Sequence, residues 1–377
     1  LKNPYKNILI LANYLPDGGW GGGVIIRSLL QGKPEHLKIS WTTYYPDMNK
    51  FGENRQMVPV LPFQPRYIKG QSKFSLLRWL DSIKFASDIN KVIAANQIDK
   101  LWIVLGSGMN ELYRLSMLVE KIKIPYHLTV HDDPIVDLAT SQKTAGEKAF
   151  SKIISHAQSM DVITERMRKR YQEKYGKDSI VITRGIPNDF PVNDSRDANH
   201  IQILMGGYGN AAAPWPKPLI DAARILNELH PCTLHLFDPK LKAYESDSVK
   251  IYKGLPEAKF NELLKSMHLG YACDDLTAER LPFAQLSLPT KIITYIGAGI
   301  PFLYHGPKDS TVGDLLAQYH AGLIVESNEA HKLVDAFRLL LSNYDRYRKE
   351  CVRAREEAFN SGGIQTIFFN QLVSNKK

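Results

Sequence analysis

A chain of 377 residues with 44% hydrophobic and 23% charged residues is globular in composition and long enough for two domains of ordinary size. Its 25 glycines and 21 prolines exclude a collagen-like, coiled-coil or wholly disordered chain, and three scattered cysteines (Cys232, Cys273, Cys351) argue against a disulfide scaffold, a zinc ribbon or an iron–sulfur site. The formal charge of +9 sits entirely in residues 1–190, which carry 27 Lys and Arg against 18 Asp and Glu, whereas residues 191–377 carry 21 of each; the first half is expected either to meet an acidic partner or to present a solvated lysine-rich surface.

Along the first half, short apolar runs alternate with amphipathic stretches. The pattern predicts strands over 6–15, 37–44, 101–105, 126–130, 161–164 and 180–183, and helices over 24–30, 76–95, 110–122, 147–158 and 165–175. No apolar run approaches the ~20 residues that cross a bilayer. The run from Ile8 to Ala12 has the length of a core strand rather than of a signal peptide's apolar region, so a soluble cytoplasmic protein is expected. A polar stretch over 188–197 has the composition of an interdomain linker. The alternation then restarts, with strands over 201–205, 233–237, 249–252, 269–272, 301–304 and 323–325 and helices over 218–229, 257–267, 291–296 and 312–319. A helical tail over 329–373 breaks at Ser361-Gly362-Gly363. Continuous apolar strands separated by helices require parallel sheets covered on both faces, so the chain reads as two α/β domains whose ligand loops lie at the carboxyl ends of the strands.

Three segments can carry chemistry. The loop 17–23 holds five glycines; it permits close backbone approach to a ligand, and the helix after it offers N–H groups and a positive dipole end to a phosphate. It is not a dinucleotide fingerprint, whose third glycine would fall on Val24 or Ile26, nor a P-loop; a flexible strand-to-helix turn is the plain alternative. His131-Asp132-Asp133-Pro134 follows the strand over 126–130. His131 can donate to a sugar hydroxyl or a carbonyl oxygen, and Asp132 can orient the imidazole, accept from a substrate hydroxyl, or simply cap a turn before Pro134. In residues 287–301, Pro289 suits a helix start with Thr290 and Lys291 in the first turn, where N–H groups, hydroxyl and ammonium together suit a diphosphate. A lysine there opposes the helix dipole by ~0.3–1 kcal/mol, a conflict that a bound anion resolves; otherwise the helix is ordinary and its lysine solvated.

On these residues the chain resembles the GT-B glycosyltransferases, particularly glycosyltransferase family 4 and its relatives. Many of them carry Ser-x-Pro-Ser/Thr-Lys-x-x-Glu-Tyr-x-x-x-Gly-x-Pro where this sequence has Ser287, Pro289, Thr290, Lys291, Thr294, Tyr295, Gly299 and Pro301. The resemblance covers nearly the whole chain. It implies two Rossmann-like doubly wound parallel-sheet domains facing a cleft: an acceptor domain over 1–190, a donor domain over 191–360, and a terminal helix over 361–377 that can cross back to the first. It implies a hexosyltransferase-type enzyme (EC 2.4) that moves a sugar from a nucleoside-diphosphate sugar to a carbohydrate or lipid-linked glycan acceptor in bacterial-type polysaccharide or glycoconjugate synthesis. Retention at the anomeric carbon is expected, with no cofactor and no obligatory metal, in keeping with the lack of an Asp-x-Asp motif. His131 and Asp132 are the catalytic candidates; Gly22, Gly23, Gly207, Lys217, Ser287, Thr290 and Lys291 are the donor-binding candidates.

The sequence also departs from the family pattern. A Gly-Arg pair followed by Lys-Gly usually comes after the first strand of the donor domain; here stand Gly206-Gly207-Tyr208-Gly209-Asn210 and no arginine, with Lys217 either replacing a phosphate contact or serving on the surface. The family's two glutamates fall on Leu286 and Thr294, so the carboxylate that commonly holds the donor ribose is missing. A sugar-nucleotide epimerase or hydrolase of the same architecture, or a non-catalytic partner subunit, are the alternatives. Finally, Phe63, Tyr67, Phe74 and Trp79 interleave with Arg66, Lys69, Lys73 and Arg78, and Arg166-Met167-Arg168-Lys169-Arg170 adds charge. These suit peripheral contact with an anionic membrane at its inner face, or are helix surfaces with an apolar face packed inward; no nucleic-acid module accompanies them.

Overall fold

The computed structural model describes residues 5–14, 21–43, 58–61, 75–193, 199–207 and 215–374. Residues 17–20 of the glycine-rich loop, residues 62–74 of the aromatic–basic segment (Phe63, Arg66, Tyr67, Lys69, Lys73 and Phe74 among them), residues 194–197 of the polar stretch, and Tyr208, Gly209 and Asn210 lie outside the described residues. The chain divides into two compact units, Leu1–Gly185 with Ser361–Lys377, and Ile186–Asn360.

The first unit is built on β1 (Asn7–Ala12), β2 (Lys38–Thr43), β3 (Lys100–Leu105), β4 (Tyr126–Val130), β5 (Ser159–Val162) and β6 (Ile180–Val181), all parallel, in the order β2-β1-β3-β4-β5-β6. Helices α1 (Gly21–Gln31), α2 (Ser75–Ala95), α3 (Met109–Lys121), α4 (Thr140–His156) and α5 (Glu165–Tyr175) connect them. Ile8, Leu9, Ile10 and Leu11 are all fully buried, which is why β1 is apolar without alternation: both faces of the sheet are covered.

The second unit repeats the plan with β7 (Ile201–Met205), β8 (Cys232–Leu236), β9 (Val249–Ile251), β10 (Leu269–Cys273), β11 (Phe302–His305) and β12 (Gly322–Val325), parallel in the order β12-β11-β10-β7-β8-β9. Its helices are α6 (Pro216–Leu229), α7 (Glu257–Lys265), α8 (Leu281–Leu286), α9 (Thr290–Ala298), α10 (Thr311–Tyr319), α11 (Ala330–Ser342) and α12 (Tyr344–Ala358). Counted from its own first strand, this is the order of the doubly wound dinucleotide folds; the first sheet has the flavodoxin-like order with one strand more. The strand order reverses between β1 and β3 in one sheet and between β7 and β10 in the other. At such points the loops leaving neighbouring strands diverge to opposite faces and open a crevice at their carboxyl ends.

Several boundaries differ from the sequence expectation for identifiable reasons. The helix expected from 147 begins at Thr140, because its first turn is exposed and carries no apolar periodicity. The strand expected over 161–164 is β5, two residues earlier: Thr164 leaves the ladder to cap α5, its Oγ1 accepting from the Met167 N–H at 3.1 Å. The tail does not break at Ser361-Gly362-Gly363, which form the first turn of α13 (Ser361–Leu372). It breaks at Asn343, between α11 and α12, and again at Phe359 and Asn360, where the Ile186 N–H donates to the Phe359 carbonyl at 2.7 Å and Asn360 bridges Ile186. The described part of the polar stretch is anchored rather than solvated: Asn193 is fully buried, its side-chain amide donating to the Met267 carbonyl and, at 2.8 Å, to the Tyr344 hydroxyl. α13 packs on the first sheet, with Phe368 4.6 Å from the Trp102 ring and Gln365 Nε2 donating to the Ser28 carbonyl at 2.7 Å. Among the described residues no helix is long and apolar enough to cross a membrane.

Candidate functional site

In the second unit the candidate residues collect at the carboxyl ends of β7 and β10. β7 gives way to Gly206 and Gly207; Gly207 has φ of 95°, a backbone that side-chain-bearing residues rarely adopt, and a Cβ there would meet nothing within 4 Å. β10 gives way to Asp274 and Asp275, both buried; Tyr304 donates its hydroxyl to Asp274 Oδ2 at 2.8 Å, and Asp275 Oδ1 accepts from the Thr277 N–H at 2.9 Å. α9 begins at Thr290 after Pro289, whose side chain makes no capping bond, so no side chain of the N-cap position occupies the N–H groups of the first turn. Lys291 stands in that turn. Burial pushes its ammonium pKa down, and the neighbouring Cys273 and Asp274 act in the opposite direction.

Tyr295 of the same helix holds this arrangement together. Its ring is fully buried, and its hydroxyl accepts from the Gly206 N–H at 2.9 Å while lying 3.0 Å from the Leu204 carbonyl and 2.9 Å from that of Tyr271. Gly270 on β10 makes the room, because a Cβ there would stand 2.5 Å from the ring. One side chain of α9 thus ties together the two strands between which the sheet reverses.

The remaining candidates are placed less uniformly. Ser287 ends α8, its N–H donating to the Phe283 carbonyl at 2.8 Å. Thr290 is partly exposed, and its carbonyl accepts from Thr294 Oγ1 at 3.2 Å. Leu286 is buried. Lys217 lies on the exposed face of α6 with its ammonium against Asp221.

In the first unit His131 is buried just beyond β4, and its Nε2 has no hydrogen-bond partner among the described residues. A Cβ on Gly22 would stand 2.8 Å from His131 Nδ1 and 2.9 Å from the Tyr14 hydroxyl, so the first turn of α1, with Gly22 and the buried Gly23, comes up against both groups only because it is glycine. The glycines expected in a loop are thus partly helical: α1 starts at Gly21. Burial lowers the His131 pKa, with Asp161 and then Asp132 opposing it, and the ring is neutral near pH 7. Burial likewise raises the Tyr14 hydroxyl, helped by Glu111, Asp132 and Asp161. Asp132 is exposed. The turn-capping that the sequence offered to Asp132 belongs to Asp133, whose Oδ1 accepts from the Ile135 and Val136 N–H groups at 2.8 and 3.2 Å and whose Oδ2 accepts from the Tyr171 hydroxyl at 3.2 Å.

Sequence reasoning missed Asn13, Tyr14, Asp161 and Asp274. Near the carboxyl ends of β1, β4 and β5, four buried atoms, Asn13 Oδ1, Tyr14 OH, His131 Nε2 and Asp161 Oδ2, lack hydrogen-bond partners among the described residues. Buried polar atoms of this kind are normally satisfied by protein, water or a ligand, so the cluster marks a polar place that can receive one. The one signal available beforehand was a charged residue, Asp161, at the edge of an apolar run. Among the described residues no group of three His, Cys, Asp or Glu side chains is placed to hold a metal ion.

No protein-family model matches the chain, and no curated protein matches its sequence. Solved structures do match over their full length. A sucrose-phosphate synthase from Thermosynechococcus elongatus superposes with a TM-score of 0.71 at 13% identity, covering 97% of this chain and 98% of that one. Anabaena HepE, in complex with UDP and glucose, gives 0.66 at 14% identity, covering 97% and 99%. A putative UDP-N-acetylglucosamine 2-epimerase from Listeria monocytogenes gives 0.61 at 14% identity, covering 97% and 95%. At such identities the likeness shows the fold, and the fold of this chain is GT-B, two Rossmann-like units each on a six-stranded parallel sheet.

Proposed function

We propose that the protein is a glycosyltransferase that moves a sugar from a nucleoside-diphosphate donor to a carbohydrate or lipid-linked glycan acceptor, with retention at the anomeric carbon and without an obligatory metal. Because one fold hosts many activities, the site must carry the reading. The observation that carries it is Lys291, with Thr290, in the first turn of α9 beside the ends of β7 and β10. Breaking the anomeric bond builds negative charge on the leaving diphosphate. Helix N–H groups, the dipole and the lysine ammonium stabilise that charge more as it grows, which is what lowers the barrier. A lysine whose surroundings disfavour its charge responds strongly to a phosphate, since the anion restores the ammonium. Gly207 after β7 and the Gly22–Gly23 turn in the first unit are positions where the backbone itself can meet a ligand. Ser287 and Lys217 are the weaker donor contacts. His131, with a neutral ring and an unpartnered Nε2, is the contact for the transferring sugar, and exposed Asp132 a secondary one. The excess basic charge of residues 1–190 favours an anionic, lipid-linked acceptor met at a membrane surface.

Thermal-shift measurements against UDP, GDP, dTDP, CMP and ADP test the donor class. A ligand at about 100 times its Kd adds ~2.7 kcal/mol of stability; stabilisation by none of the five refutes the reading, and Lys291→Ala should abolish the shift. A sugar-nucleotide epimerase or hydrolase is the second reading, since a putative UDP-N-acetylglucosamine 2-epimerase shares the fold. Acceptor-stimulated release of nucleotide separates transfer from both. His131→Ala should lower turnover more than donor affinity.

A further inference from the structure

The loops leaving β1 and β3, the two strands at which the first sheet reverses, are joined by a polar pair. Glu111 is buried in the first turn of α3. Its Oε1 accepts from the Gly106 N–H at 2.5 Å, and its Oε2 accepts from Asn13 Nδ2 at 3.5 Å. The second bond is long, but packing holds both groups: a Cβ on Gly106 would overlap the Asn13 amide nitrogen and stand 2.7 Å from Glu111 Oε1. The backbone beyond is fixed as well, since Trp41 Nε1 donates to the Tyr14 carbonyl at 2.8 Å.

A carboxylate accepts and does not donate, so Glu111 decides which way the Asn13 amide lies: nitrogen toward the carboxylate, Oδ1 away from it. That Oδ1 is buried and has no hydrogen-bond partner among the described residues, and the same holds for the hydroxyl of Tyr14, the next residue. A Cβ on Gly22 would stand 2.9 Å from this hydroxyl and 2.8 Å from His131 Nδ1, so the imidazole borders the same place. Burial raises the Tyr14 pKa, and the charges that add to it are the carboxylates of Glu111, Asp132 and Asp161. Phosphate brings negative charge and acceptor oxygens, which these surroundings repel. A sugar hydroxyl both donates and accepts, and it satisfies an amide oxygen and a phenol alike. A crevice at a reversal of strand order is also where doubly wound sheets take their ligands.

We propose that Asn13 is a specificity-determining contact for a sugar hydroxyl, that Tyr14 takes the neighbouring hydroxyl, and that Glu111 is the positioning residue that keeps the amide oxygen turned toward them. The part this plays in turnover rests on the proposed sugar transfer; the affinity for hydroxyls does not.

The test is Glu111→Gln and its rescue in the full chain. The Gly106 N–H should retain the glutamine oxygen, which leaves the glutamine nitrogen facing Asn13; the Asn13 amide then turns over and presents a donor where it presented an acceptor. When Asn13→Asp is added, amide and carboxylate change places. One aspartate oxygen accepts from the glutamine, and the other is again an acceptor in the crevice. D-glucose, D-galactose, D-mannose and N-acetyl-D-glucosamine are titrated against ¹⁵N-labelled protein and read at the Tyr14 and Gly106 backbone amides, with inorganic phosphate as the anionic control. At least one sugar should shift both signals in the wild type, and phosphate neither. Its Kd should rise about tenfold in Glu111→Gln, the worth of one good hydrogen bond, and return to within about threefold of wild type in the double variant. A merely structural pair would show loss and rescue in melting temperature alone; sugar affinity unmoved by Glu111→Gln overturns the proposal, as do shifts from phosphate or from none of the four sugars. Sugar binding with this pattern in a protein that turns over no nucleotide sugar upholds the site and removes the transferase reading instead. Should the glutamine variant fail to fold, Tyr14→Phe deletes the buried hydroxyl: sugar affinity should again fall about tenfold, and an unchanged affinity would overturn the proposal.

Discussion

The packing of Tyr295 into the gap left by Gly270 lends itself to a quantitative test. In Gly270→Ala the new Cβ stands 2.5, 2.6 and 2.8 Å from three carbons of the Tyr295 ring, where ordinary contact begins at 3.4 Å. The ring has no room to retreat, since it is fully buried and its hydroxyl is held at the ends of β7 and β10. Overpacking of this kind costs ~1–3 kcal/mol. A ring that does move drops the bond from the Gly206 N–H, and the stranded donor adds ~1–3 kcal/mol. We therefore expect a loss of about 3 kcal/mol from the second unit, and weaker nucleotide binding because α9 shifts with its tyrosine. In a Tyr295→Leu background the obstructing ring is gone, and the same glycine substitution should cost under about 1 kcal/mol, a coupling of about 2 kcal/mol between the sites. Urea unfolding followed through 5-fluorotryptophan at Trp215, the single tryptophan of Ile186–Asn360, isolates that unit. Equal costs in the two backgrounds would refute the clasp.

Three further outcomes follow from the site and its surroundings. Because burial holds the Lys291 pKa down in the free protein, diphosphate binding should take up a proton and weaken as pH rises through that pKa; calorimetry in buffers of differing ionisation enthalpy reads this, and an uptake that persists in Lys291→Met sinks it. Lys100 is fully buried with its pKa pushed down to about 8 from 10.5, so the unfolded chain binds more protons between those values and stability rises with pH across that window, by up to about 3 kcal/mol. The difference in stability between wild type and Lys100→Met should therefore change with pH between 8 and 9.5; a constant difference would contradict the assignment. Gly22→Ala should cut turnover by displacing His131 and Tyr14 while altering stability by only about 1 kcal/mol, since alanine favours the helix; unchanged turnover would show that the glycine serves the backbone alone.

The two sheets were legible because parallel strands buried on both faces write themselves as unbroken apolar runs, and β4, α5 and β7 fall on their predicted residues. That Lys291 starts a helix and His131 follows a strand was legible because strand ends and helix starts leave local marks. Asp161 and Tyr14 were not, since what matters about them is which strand lies beside which, and the reversal of strand order at β1 and β3 is no property of a local window. Tyr295 stood in the recognised phrase, but its function depends on Gly270, a residue on another strand that signals only by lacking a side chain. The exposed first turn of α4 hid for the opposite reason: solvent imposes no period on it.

The missing glutamates bear on the same lysine. Thr294 lies one helical turn beyond Lys291, so a carboxylate there would face the ammonium at the i,i+3 spacing and support its charge. The threonine instead turns its hydroxyl back to the Thr290 carbonyl, and burial outweighs the acidic neighbours of Lys291. On the proposed reading, the lack of a carboxylate at position 294 therefore also leaves the lysine more responsive to an incoming phosphate. Thr294→Glu should raise the Lys291 pKa, reduce the proton uptake on binding and weaken inorganic pyrophosphate, while a nucleoside diphosphate, which can offer the carboxylate its ribose hydroxyls, loses less. The ratio of the two affinities, measured by calorimetry at one pH with the melting temperature followed alongside, should rise. If pyrophosphate and the nucleotide weaken equally, position 294 lies away from the ribose; if neither changes, it does not act on the lysine, and the electrostatic account of α9 fails with it.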